Sequence, residues 1–444
     1  MKGVDMMGVD PEEVITKLKK MDVDDAICEL QTQVISQVRF ANSDIVLTNT
    51  GTQSLLRVFL AKDKRVATAE IEDASEIDSL LRHLIKISAS MPRNENYRGI
   101  AKGKFTYPEE GSGVPDLHEK LVDYAHECIT SAESAGAKRT AGVVYHFDVK
   151  RWLVSSAGIN VKERRGGIEC SIRSFVEKDA SGHSVSCSAK GENFSPGKAG
   201  EESAEIAVQA SRYPREPITE GRYDVIFGRL AIANLIYYAG MSLSAFLVDA
   251  GMSMFRDRIG QHVASSMVNL DDNGIHPNSI GSHRFDEEGH PTRVTRLIEK
   301  GVLRTYLHNT STAARYKVKS TGNAGVISPV PWTLLVYPGN YNDEELIETT
   351  KNGILITNVW YTRYQNRMTG DFSTIPRDAI LKIKNGKIVG SLKDARVSDN
   401  LLSILMNIDA LSKDVKQIHW WEVERPVFTP IVRVKNVTIT KSTR

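Results

Sequence analysis

The stretch LAIANLIYYAGMSLSAFLVDAGMSMFRDRIG, Leu230 to Gly260, constrains the fold more than any other part of the chain. It is the longest apolar, helix-periodic run, and a helix that is hydrophobic nearly all round has to be buried in a protein core or a membrane. From Leu230 to Val248 it approaches the length of a membrane span, but Asn234, Gly240, Ser242 and Ser244 interrupt it. The reading is a buried helix and no membrane association, in a chain whose 41% hydrophobic and 25% charged residues match a globular protein.

Something has to surround that helix, and the flanking sequence predicts what. At 444 residues, two domains are expected, divided near Arg212 at the proline-containing linker YPREPITEG: residues 1–212 and 213–444. The first part predicts a short helix at Pro11–Lys20 and further helices at Glu76–Ser90, Asp116–Ala135 and Gly200–Ser211. Between them lie alternating strands, with turns at Asn49–Gly51 and Lys62–Lys64 and an irregular connection at YPEEGSGVPD. The second part reads as mostly antiparallel sheet, with turns at Lys300–Gly301 and Asn385–Gly386 and a helix in DNLLSILMNIDALS. The fold class is therefore α+β: an amino-terminal α/β domain and a mainly antiparallel β carboxyl-terminal domain.

Chemistry-bearing patterns are few. The 57 basic and 55 acidic residues give a net charge of +2 without a basic block, so nucleic acid is not an expected partner. The opening residues lack a signal-peptide core, and the scattered Cys28, Cys128, Cys170 and Cys187 read as free thiols, so a cytoplasmic location is expected. The segment Gly191–Lys198 fails as a phosphate loop, and Gly240–Ser244 fails as a serine elbow. His118 and His126 lack a second histidine one helical turn away, as a zinc helix needs. His276, His283 and His290 sit among Asp271, Asp272, Asp286, Glu287 and Glu288, but glycines and prolines make that segment a set of turns. Exposed hairpin loops are the expected reading there, with a metal site as the alternative.

The segments GMSMFRDRIGQHVAS, DDNGIHPNSIGSHRFDEEGHPTRVTRLIEKGVLRTYLHNTSTAARY, STGNAG and MTGDFSTIPRDAILKIKNGKIVG, in that order, resemble the TldD/PmbA family, also called TldD/TldE. The likeness is clearest from Tyr223 to Thr440 and looser around VRFANSDIVLTNTGTQSLLRVFLAKDKRVATA. In the TldD branch, the resemblance implies, the helix equivalent to the one quoted above carries H-E-x-x-x-H and a carboxyl-terminal cysteine completes the zinc shell. The equivalent positions here are Ile236, Tyr237 and Met241, with Gly240 retained, and the closing QIHWWEVERPVFTP has no cysteine. The chain thus resembles the PmbA/TldE branch, which lacks the motif.

That resemblance implies a subunit without catalytic or metal-binding residues of its own. It would pair with a zinc-bearing TldD-type subunit as a heterodimer, or with itself when isolated, and help enclose unfolded peptide substrates. Tyr361, Arg363, Asp371 and Ser373, in and before TGDFS, are the expected cleft or interface contacts. The alternatives are a self-sufficient metal-dependent hydrolase built on the His276–His290 segment and a homodimeric peptide-binding protein.

Overall fold

The computed structural model describes residues 8–109, 117–177 and 179–442. A helix, α1 (Pro11–Lys20), capped by the Asp10 side chain, precedes three strands, β1 (Asp25–Ala41), β2 (Asp44–Lys62) and β3 (Arg65–Ile71), and a second helix, α2 (Ile77–Ser90). Helix α3 (Leu121–Ser134) leads into β4 (Arg139–Ser155), β5 (Asn160–Glu177) and β6 (Ala180–Ser188), and then α4 (Pro196–Ser211). These strands form one sheet in the order β3-β2-β1-β4-β5-β6, antiparallel throughout. Residues 110–116, which include most of the YPEEGSGVPD connection and the expected start of the third helix, lie outside the described residues.

The turn expected at Asn49–Gly51 is not there. Residues 44–62 form one continuous strand, and β1 pairs with it in unbroken register through Ser36↔Thr50 and Ile35↔Gly51. The chain reverses instead at Asn42–Ser43, where φ is 52° and 60°. Two consecutive left-handed residues make the tight turn that matches strand twist, so Asn42–Ser43 was the stronger signal.

Helix α4 is packed so closely that its approach depends on glycine. A Cβ on Gly200 would stand 2.2 Å from the Cys128 carbonyl oxygen of α3, and one on Gly182 of β6 would stand 2.1 Å from the Ser203 carbonyl. Backbone cannot yield as a side-chain tip can, so Gly200→Ala is expected to cost about 1–3 kcal/mol, seen as a lower denaturant midpoint with an unchanged slope.

Beyond residue 212 the chain runs β7 (Arg215–Pro217), β8 (Gly221–Phe227), α5 (Arg229–Ser242), α6 (Ala245–Asp249), β9 (Leu270–Asn273), β10 (Val294–Glu299) and β11 (Val302–Leu303). It continues with α7 (Thr310–Tyr316), β12 (Leu334–Val336), α8 (Asp343–Glu348), β13 (Asn352–Asn366), β14 (Asp371–Lys384), β15 (Lys387–Lys393) and β16 (Ala395–Asn400). The last elements are α9 (Leu401–Met406), β17 (Ile408–Leu411), β18 (Lys416–Trp420), β19 (Val423–Thr429) and β20 (Val432–Lys441). Two mixed sheets result, β11-β10-β9-β12-β19-β18 and β13-β8-β20-β16-β14-β15-β7, and α5 lies in the main core with residues of both. The turns at Lys300–Gly301 and Asn385–Gly386 are present, all four residues at positive φ. The helix expected in DNLLSILMNIDALS is only the six residues of α9, because Ile408–Leu411 pairs with β20 instead.

The long apolar run is one buried helix only as far as Ser242. The Leu243 carbonyl accepts from the Leu307 N–H and Ala245 donates to the Leu307 carbonyl, so the backbone leaves the helix to bond a neighbouring segment and resumes as the short α6. At Gly240 a Cβ would lie 2.3 Å from the Leu334 side chain, which is how near α5 comes to β12.

Candidate functional site

Helix α5 presents Asn234, Tyr238 and Ser242 at successive i, i+4 positions, so the three polar side chains line one face. All three are engaged. Asn234 Nδ2 donates to the Glu422 carbonyl and its Oδ1 accepts from Thr362 Oγ1, while Tyr238 Oη donates to the Thr362 carbonyl. Ser242 Oγ reaches the Tyr238 carbonyl and lies 3.0 Å from Tyr364 Oη. The polar stripe of the helix is thereby fastened chiefly to β13.

Ile236, Tyr237 and Met241, the positions the resemblance implies as equivalents of a zinc motif, are adjacent to that stripe, and their side chains do not fit a metal. Ile236 is 2% exposed, packed in the main core, and has no donor atom. Tyr237 donates its hydroxyl to Glu424 Oε2 at 3.3 Å, and burial, with that carboxylate, pushes its phenol well above the usual range. Met241 is half-buried and offers a soft thioether. The hairpin β18–β19 beside them contains no cysteine.

Tyr237 points the way to a cleft through Glu424. The cleft, of about 470 Å³, lies between the face of β1, β4 and β5 and the β18–β19 hairpin, with Ile280–His283 on one side. Gln33, Tyr145, Phe147 and Arg165 come from the first sheet; His419, Trp421, Glu424 and Arg425 come from the hairpin. His419 Nδ1 is bonded to Glu169 across the cleft, joining the two walls. Trp421 is 60% exposed at the hairpin tip, its ring 6.4 Å from that of Tyr361, and Trp360 packs against both.

Of the four expected contact residues, two belong to this aromatic edge. Tyr361 is 47% exposed and takes φ 55° at a bulge in β13, held there by its N–H donating to the buried Glu422 carboxylate. Such a conformation in a bulky residue carries backbone strain. The Arg363 guanidinium lies 5.8 Å from the Tyr361 ring centre. The other two are placed elsewhere: Asp371 accepts from Thr369 Oγ1 and Asn400 Nδ2 at the β13–β14 turn, and Ser373 is buried, accepting from Arg396.

The segment expected as exposed hairpin loops is instead largely buried. His283 is buried and its Nδ1–H donates to Glu163 Oε1 at 3.0 Å; burial and the neighbouring Arg165 pull its pKa down to about 3, so the ring is neutral. His276 packs on Phe428 and His290 on Phe105, so the three histidines have separate surroundings. Asp272 is fully buried, accepting from Asn323 and the backbone N–H groups of Trp332 and Thr333; burial still lifts it to about 6. Among the described residues, no group of three or more His, Cys, Asp or Glu side chains is arranged to hold a metal ion.

Behind the cleft floor lies a buried ionic network joining the two parts of the chain. Arg151, whose side chain is 1% exposed, donates to Glu29 Oε2 at 2.6 Å and Glu163 Oε1 at 2.7 Å and stands 3.3 Å from Glu287 Oε2. Arg57 also binds Glu287, and the Arg284 N–H donates to Glu163 Oε2. Sequence reading missed this network and the cleft-lining Arg165, His419 and Arg425. The one available signal was the pair Trp420–Trp421 amid alternating charges, too polar a stretch for two tryptophans unless one faces a cleft.

Two comparisons of sequence and one of structure bear on this site. Residues 115–210 match the PmbA/TldA metallopeptidase central domain, and residues 220–441 match the PmbA/TldA metallopeptidase C-terminal domain. A metalloprotease of Methanocaldococcus jannaschii is 34% identical over 209 residues, 45% of each chain. A metalloprotease PmbA homolog of Haemophilus influenzae is 25% identical over 366 residues, 74% of this chain and 77% of that one. The stretch shared with the Methanocaldococcus protein thus spans less than half of that relative's length. In structure, TldE from Thermococcus kodakarensis superposes with a TM-score of 0.85 at 19% identity, covering 97% of this chain and 99% of the other, which is a likeness of fold.

Proposed function

Since the chain belongs to the TldD/PmbA metallopeptidase family, we propose that it is the TldE-like, non-catalytic subunit of a two-subunit zinc peptidase acting on unfolded peptides. The observation that carries this reading is helix α5. None of its residues is His, Cys, Asp or Glu; Ile236 faces the core, Tyr237 is occupied by Glu424, and its polar stripe is tied down to β13. A helix that serves as a hydrolytic centre needs free donors and a base facing a path for substrate. Here the same position is a structural beam beside a cleft.

On this reading zinc and the general base are supplied by a TldD-type partner, and this chain supplies a wall. The cleft between the first sheet and the β18–β19 hairpin would receive extended chain, and the exposed Trp421 and Tyr361 offer apolar contact without demanding a sequence. No helix among the described residues is long and apolar enough to cross a membrane. We place the protein in the cytoplasm, where the four buried free cysteines stay reduced.

The test combines elemental analysis with peptide cleavage. The purified chain is expected to hold no stoichiometric zinc and to leave an unfolded peptide intact, and to raise cleavage when mixed with a TldD-type subunit. Zinc bound tightly to the chain alone, with cleavage that a chelator abolishes, would overturn the proposal.

A further inference from the structure

Arg165 of β5 and Arg425 of β19 both line the cleft, and neither forms an ion pair among the described residues. Arg165 makes a long hydrogen bond, Nη1 to the Ile280 carbonyl at 3.4 Å, and its guanidinium lies 5.9 Å from the Phe147 ring centre, while its buried Nε has no hydrogen-bond partner. The Arg425 guanidinium rests on Trp332, 5.2 Å from the ring centre. Burial lowers the pKa of Arg165 to about 10; among the charges around it, Glu163 opposes that shift, and Arg151 and Arg425 add to it.

Carboxylates are present around the cleft, but they are committed elsewhere. Glu163 is taken by Arg151, His283 and the Arg284 N–H; Glu287 by Arg57 and Arg151; Glu169 by His419; Glu424 by Tyr237. Two guanidinium groups with unfilled donors, sharing one recess, cost free energy that an anion would recover. A planar carboxylate fits best, since the guanidinium fork meets both its oxygens and each added bond is charge-assisted.

We propose that Arg165 and Arg425 form a carboxylate-recognition subsite in this cleft, taking the carboxylate of a bound peptide while Trp421 flanks the chain leading to it. The proposal rests on the cleft being a peptide path. It gives the wall a chemical preference, so that peptides are admitted by a carboxylate, either terminal or on an acidic side chain, and not by length alone.

The experiment is peptide binding to the full chain, alone and with a TldD-type subunit, read by tryptophan fluorescence. Three probes share an N-acetylated alanine–serine hexapeptide: the free acid, its carboxyl-terminal amide, and the amide with one internal glutamate. The free acid is expected to bind at least about tenfold more tightly than the plain amide, and Arg425→Met and Arg165→Met to erase the difference. Tight binding by the glutamate amide as well assigns the subsite to side-chain carboxylates; tight binding by the free acid alone assigns it to the terminus. Equal binding of all three, or no binding, overturns the proposal, and this result needs no variant to fold. Because binding is read without cleavage, its failure leaves the subunit assignment standing, and failure of cleavage in the mixture leaves the subsite intact.

Discussion

Arg151→Met is expected to lower the stability of the chain by about 3–5 kcal/mol at neutral pH, measured as a drop in the urea midpoint. The arginine is buried between Glu29, Glu163 and Glu287, and its removal leaves carboxylates without the cation that compensates their burial. Methionine fills much of the volume, so the loss is electrostatic more than steric. The acid dependence supplies the check on cause. Against its burial, the Glu163 carboxyl is held well below its usual range by Arg151 and His283, and such a group contributes stability that is present above its unfolded pKa and lost as pH falls through the folded one. In the variant that acid-sensitive contribution shrinks, so the gap between the two proteins narrows as pH drops below about 4.5. A constant gap across pH would mean a packing defect.

The second large effect has the opposite sign. Glu288→Gln is expected to stabilise the chain by on the order of 2–4 kcal/mol at pH 9 and to change little at pH 4. Glu288 lies beside Asp286 and pairs with no cation among the described residues; its partners are the N–H and hydroxyl of Thr310, which a glutamine oxygen can also satisfy. Burial first, and then the Asp286 charge, raise its pKa from 4.5 to about 8. A raised folded pKa means that the stabilising, protonated form is fully present below the unfolded value of 4.5 and is lost as pH rises through about 8. Glutamine is neutral throughout, so its advantage grows across that window and levels off above it. Thermal melts of both proteins from pH 4 to 9 test this, and parallel curves would show that the pKa of Glu288 is the same in the folded and unfolded states.

What was legible of the candidate site was the side-chain chemistry of α5, which depends on residue identity alone. Ile236 and Tyr237 cannot do what histidine and glutamate do, and no packing changes that. The local turns at Lys300–Gly301 and Asn385–Gly386 were legible for a related reason, since positive φ is demanded by the turn and met by the residues within it. The Asn49–Gly51 turn misread shows the limit of such signals: Thr50 and Gly51 favour a turn, yet seventeen residues of β1 pair across them and outweigh the local preference.

The histidine-rich segment failed differently. Its glycines and prolines do form turns, but His283 meets Arg151 of β4 and Glu163 of β5, Asp272 lies in β9 against Asn323, Trp332 and Thr333, and Asp286 bonds the Ala324 N–H, so all three became interior groups. Burial is set by what lies above a residue, and residue 163 is not near residue 283 in sequence.

By itself, then, the sequence determined the fold class, the family and the absence of His, Cys, Asp and Glu from α5, because each rests on side-chain identity or on backbone preference over a few residues. Only the tertiary structure decided where the apolar run breaks, which charges are buried, and that Arg165 and Arg425 share one cleft with neither in an ion pair among the described residues. Those outcomes depend on desolvation and on electrostatic partners brought together from distant parts of the chain, and both arise only when the sheets close around the core.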